Sequence, residues 1–162
     1  MSKSDTTDLL LFLAPFDGRI QQLALWLRDW VWEQYPQCNE LIYDNYNALA
    51  FGWSPTEKMT DIFCSVALYG NKDVHFGFYW GSEINDPEKL LQGAGKQYRY
   101  LRITDQSGFP VEYATRLVAD AYANSMVKLK PNAVLNEGKT IVKSSLPVKK
   151  RPGVVIPKKA AR

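Results

Sequence analysis

Between Glu40 and Thr104 the apolar residues recur at every second position, in short runs separated by turn residues. That period is the signature of strands half-buried against a core. Strands are expected near 40–46, 48–53, 61–69, 73–80 and 97–104. Asn45 and Asn47 offer turn chemistry between the first two, "SPTEK" joins the second to the third, and Gly70-Asn71-Lys72 forms a tight hairpin between the third and fourth. Connections this short make neighbouring strands antiparallel. The longer connection, 81–96, contains "NDPEKLL", which reads as one helical turn with Asp86 as cap and Pro87 in its first position.

Helical spacing flanks the sheet. Ser4 or Asp5 can cap a short helix that ends near Leu13, ahead of Pro15. Asp17 then caps a longer one, in which Ile20, Leu23, Leu27 and Val31 share a face while Arg28, Asp29 and Glu33 point away. Trp26, Trp30 and Trp32 widen its apolar surface, either wrapping the domain edge or, for Trp26 or Trp32, meeting a partner. Pro36 ends it. The last helix runs from about Pro110 to Leu129, with Val111, Ala114, Leu117, Val118, Ala121 and Tyr122 as its buried stripe. The expected fold is α+β with two layers: a five-stranded antiparallel sheet and both long helices on one face.

Alternation then sorts the strand side chains. Ile62, Cys64, Val66, Leu68, Val74, Phe76, Phe78, Trp80, Leu101 and Ile103 fall on the helix-covered face. The second face collects Phe63, Ser65, Ala67, Tyr69, Asp73, His75, Gly77, Tyr79, Tyr98, Tyr100, Arg102 and Thr104. Small residues among tyrosines, with one histidine and one arginine, offer area and hydroxyls to a small ligand or protein partner. Tyr69, His75, Tyr79, Tyr98, Tyr100 and Arg102 are the candidate binding residues. The face could also be ordinary solvated sheet with cross-strand aromatic pairs, or be covered by the C-terminal segment or a second copy of the chain.

Charge divides the chain. Residues 1–129 carry a net −5 and residues 130–162 a net +8. The basic segment has four prolines and no aromatic residue, so it reads as a mobile or loosely docked tail beyond a domain of residues 1–129. Through counterion release it could contact nucleic acid. Cys38 and Cys64 lack metal-ligand spacing and read as buried, reduced thiols. Neither a secretory signal nor an apolar stretch long enough for a membrane is present, so a cytoplasmic location and no membrane partner are expected.

The stretch "HFGFYWGSEINDPEKLLQGAGKQYRYLRI" resembles the YdhG-like family, a bacterial domain of unknown function. The residues carrying the resemblance are Gly81, Asp86, Pro87, Leu90, Leu91, Gly93, Gly95, Lys96, Arg99 and Ile103, supported upstream by Pro36, Glu40 and Tyr43. It spans about residues 8–125. It implies a frataxin-like layout, and one branch of the family has been described as a frataxin-like iron chaperone. Iron is therefore the one cofactor the resemblance admits, with Asp61, Asp73 and His75 as candidate ligands. Frataxins carry an acidic ridge on the first helix, where this chain has Asp17, Asp29 and Glu33 interleaved with Arg19 and Arg28.

Other chemistry fits less well. Gly93-Ala94-Gly95-Lys96 is followed by Gln97 and runs into a strand, so it lacks both the spacing and the helix of a phosphate-binding loop. Gly93 and Gly95 read as hinges, and Lys96 and Arg99 as ties from this loop to acids such as Asp86. Ser65 could approach His75 across neighbouring strands, but no nucleophile elbow or carboxylate pair stands out. The sequence favours a non-catalytic binding module over an enzyme, with iron chaperoning or nucleic-acid association as alternatives. It leaves homo-oligomers open.

Overall fold

The computed structural model describes residues 7–135 and 138–156. The cap expected at Ser4 or Asp5, and the tail's Lys158, Lys159 and Arg162, lie outside the described residues. Helices α1 (Thr7–Leu13), α2 (Gly18–Gln34) and α3 (Val111–Lys128) frame strands β1 (Asn39–Asp44), β2 (Leu49–Ser54), β3 (Cys64–Leu68), β4 (Val74–Tyr79) and β5 (Tyr98–Ile103), with β6 (Thr140–Ser145) last. All lie in one mixed sheet of order β5-β4-β3-β2-β1-β6. The first five strands form an antiparallel meander, and β6 joins β1 in parallel.

The sheet thus has six strands where sequence periodicity gives five. The sixth comes from the basic segment, whose composition argues against a share in the core. Its seat is made by ladder bonds and buried carboxylates instead. Lys139 N–H donates to Asn39 Oδ1 (3.0 Å), Thr140 Oγ1 to Glu40 Oε1 (2.9 Å) and Ser145 Oγ to Asp44 Oδ2 (3.0 Å). Arg151 Nη2 reaches Asp44 Oδ1 at 2.7 Å, and Lys149 bonds the same carboxylate.

One hydrophobic cluster joins the buried stripe of α2, and that of α3 with Tyr113 in it and Val111 exposed, to the first sheet face, including Val66, Phe76, Phe78 and Leu101. Burying each large side chain here contributes about 1.5–3 kcal/mol. Trp26 and Trp30 pack edge-on to Phe109, and Trp32 to Trp53, so the tryptophans of α2 serve packing. Cys38 and Cys64 are free and buried, and burial pushes the Cys38 thiol up to about 12. Arg28 does not face away from the core. It is buried and doubly bonded to buried Glu40, at 2.6 and 2.7 Å. A charge on a helix reads as solvated until a distant partner is known.

Two strand ends break the alternation. Phe63 N–H donates to the Trp53 carbonyl, while Cys64 is Trp53's ladder partner. Two residues therefore oppose one, the arrangement of a β-bulge. Phe63 consequently joins the core against Tyr35 and Tyr122, and Ile62 crosses to the second face, where it lies against Gly52. At the other end Trp80 adopts the left-handed conformation (φ 58°) and leaves the strand instead of following Phe78 into the core.

Candidate functional site

The second face is built by register. Gly52, Ser65, Gly77 and Tyr100 lie opposite one another across four strands, as do Ala50, Ala67, His75 and Arg102. Small side chains on the central strands leave a depression, and tyrosines rise around it. A cavity of about 350 Å³ results, lined by Ala50, Met59, Ser65, Ala67, Tyr69, Tyr79, Gln97 and Tyr98. None of these side chains carries a charge.

Tyr98 lies across Gly77, where a Cβ would sit 2.2 Å from the phenol oxygen. Only glycine admits that ring, so the wall depends on the floor. Tyr98 Oη is buried and makes no hydrogen bond of proper geometry, although Ser65 is its polar neighbour. A ring row continues from the cavity. Tyr79 meets Tyr98 edge-on at 6.0 Å, Tyr98 stacks near Tyr100 at 5.8 Å, Tyr100 stacks on His75, and His75 meets Tyr69 at 4.9 Å.

The electrostatics are those of a neutral surface with one charged margin. Burial raises the phenols of Tyr69, Tyr79 and Tyr98 above their ordinary range, and each is raised further by neighbouring tyrosines. They therefore remain neutral donors at physiological pH. Burial holds the His75 imidazole below its ordinary value; Asp73 opposes that and Arg102 adds to it. Asp73 sits between the two, 3.5 Å from His75 Nε2 and 3.4 Å from Arg102 Nε.

Of the six residues expected on this surface, Tyr69, Tyr79 and Tyr98 line the cavity, and His75, Tyr100 and Arg102 form its flank. Sequence reasoning missed Ala50, Met59 and Gln97. Ala50 had a signal in β2's alternation, Met59 enters from a connection whose path no local pattern gives, and Gln97, expected to open the last strand, stands just before β5. Asp73 and His75 come together, but Asp61 stands apart from them, in the turn Met59–Asp61 that precedes β3. Its carboxylate accepts from Thr56 Oγ1 at 2.6 Å. Among the described residues no group of three His, Cys, Asp or Glu side chains is placed to hold a metal ion. Ser65 faces Gly77 and His75 faces Ala67, so Ser65 and His75 are diagonal neighbours and not a directly opposed pair.

The 81–96 connection is organised differently from expectation. Asp86 and Pro87 open a hydrogen-bonded turn, not a helical one. The Asp86 carboxylate accepts the N–H groups of Leu90 and Leu91 (both 3.0 Å) and the Tyr113 hydroxyl. Arg99 Nε donates to the Gly95 carbonyl (2.7 Å), and the Asp86 carboxylate is taken up by Leu90, Leu91 and Tyr113, with no ion pair to Lys96 or Arg99 among the described residues. Gly93 takes φ 104°, which supplies the bend. Gln92 bridges to Tyr100 and closes part of the outer edge of β5. At the opposite edge, Lys149 and Arg151 are engaged by Asp44, and the Lys150 ammonium lies over the Tyr46 ring.

Among the described residues, no helix is long and apolar enough to cross a membrane. Comparison with protein-family models, curated proteins and solved structures gave no match to this chain. The fold and site define an α+β protein with a helix-covered sheet face and a tyrosine-rich one.

Proposed function

We propose that this protein is a non-catalytic binding module whose tyrosine-rich sheet face receives a small, uncharged, partly apolar ligand. The YdhG-like relationship and its frataxin-like layout belong to the same proposal and rest on the 75–103 motif. The observation that carries the reading is the uncharged cavity itself, floored by alanine and serine and walled by tyrosines whose phenols stay neutral. Its size falls within the range of small-molecule sites. No hydrogen bond within the described residues occupies the Tyr69 or Tyr79 hydroxyl, so both can orient a ligand, while a charged molecule would find no counter-ion in the lining.

Native mass spectrometry of the purified full chain tests this. The expected result is a small-molecule adduct on the wild-type protein that is absent from Tyr79→Ala. An adduct retained undiminished by that variant would contradict the assignment to this face.

A further inference from the structure

The single turn Met59–Asp61 is a partition. Met59 lines the tyrosine cavity, whereas Lys58 and Thr60 line a second, larger groove of about 600 Å³. The left-handed residue Trp80 makes the same division on β4: Tyr79 serves the first cavity and Trp80 the second. A non-glycine residue held in that conformation is uncommon and concentrates at functional positions. Here it turns an indole that alternation assigns to the core into the wall of an open groove.

The groove's chemistry is mixed in sign. Lys128 Nζ stands 4.6 Å from the Trp80 ring centroid and is held by Glu83 at 3.1 Å. Lys58 and Lys130 also line the groove, and neither ammonium has an ion-pair partner among the described residues. Glu57 and Asp61 bring two carboxylates to the same walls. Val134 and the indole supply apolar surface. A simple anion would meet Glu57 and Asp61 as well as the lysines, and an uncharged ring would leave Glu57, Lys58 and Lys130 without a partner, whereas Lys128 and Asp61 are already bonded within the chain. A ligand with a flat apolar group and charges of both signs answers the indole and the three charges that lack a partner among the described residues.

We propose that the groove binds a free aromatic amino acid as its zwitterion. The ring lies against Trp80, the carboxylate meets Lys58 and Lys130, and the ammonium meets Glu57. The site is separate from the tyrosine cavity and does not depend on it.

The test is calorimetric titration of the full chain with L-phenylalanine, beside 3-phenylpropionate (no ammonium) and phenethylamine (no carboxylate). Saturable heat is expected for phenylalanine, with each single-charge analogue weaker by about tenfold or more. Trp80→Leu should abolish the binding. Since that variant removes a packed ring, exposed Lys130→Gln gives a second arm: it should weaken phenylalanine and phenylpropionate but leave phenethylamine unchanged. The absence of saturable heat for phenylalanine would overturn the proposal. So would 3-phenylpropionate binding equally well, which would mark a simple anion site. Binding lost in Tyr69→Ala but kept in Trp80→Leu would also overturn it, because the ligand would then sit on the sheet face.

Discussion

The imidazole of His75 lies flat on the phenol ring of Tyr100, with centroids 4.2 Å apart and planes 3° from parallel. The stack draws a titratable group into the surface of the sheet, and burial then disfavours its charged form. The folded chain takes up this proton less readily than the unfolded chain. Stability from this site is therefore complete above the ordinary imidazole value of 6.5 and is lost as pH falls from there toward the lower folded value. Urea unfolding at several pH values between about 5 and about 7.5 should show that loss. His75→Phe, which keeps a stacked ring, should remove this component of the slope.

Gly77 and Tyr98 are a matched pair. Gly77→Ala forces the Tyr98 ring off the sheet and should destabilise by about 1–3 kcal/mol. Tyr98→Phe removes a buried hydroxyl that has no well-formed bond, and should change stability by less than about 0.5 kcal/mol in either direction. Chemical denaturation of both variants measures this; a large loss in Tyr98→Phe would show that the hydroxyl is bonded.

The last strand is held by charge. Asp44 is fully buried and Arg151 nearly so, and removing one partner of such a pair leaves an uncompensated buried ion. Arg151→Ala should cost about 3 kcal/mol, somewhat offset by Lys149 and Ser145. Hydrogen exchange should show the amides of Thr140–Ser145 losing protection before those of β2 and β3.

Asp86 fixes the start of the long connection. Burial alone would raise its pKa, but hydrogen bonds from Tyr113, Leu91 and Leu90 together bring it below the ordinary value. This contribution is present above the ordinary carboxylate value of 3.8 and is lost as pH falls through the lower folded value. Asp86→Ala should destabilise by about 1–2 kcal/mol, as loss of a cap does, and should broaden the NMR resonances of residues 86–92.

The order and approximate bounds of five strands and three helices were legible because each depends on a local period: every second residue in the strands, and helical spacing between prolines. The tyrosine face was legible for the same reason. What escaped depends on contacts between distant residues. Arg28 looks solvated until Glu40 is beside it, and the parallel pairing of Thr140–Ser145 with Glu40–Asp44 joins segments about a hundred residues apart. Phe63 and Ile62 changed places through a bulge that alternation cannot register. Trp80 reads as the next core residue because nothing in a tryptophan announces a positive φ. Met59 reached the cavity from a connection, and Gln97 from just before β5.

Chemical-shift mapping of the full chain with a neutral aromatic probe, indole, tests most directly whether the tyrosine face is the binding surface. Saturable shifts are predicted at Ser65–Tyr69, His75–Tyr79 and Tyr98–Arg102, and they should disappear in Tyr79→Ala. No saturable shifts on these strands, or shifts that survive that substitution unchanged, would contradict the account.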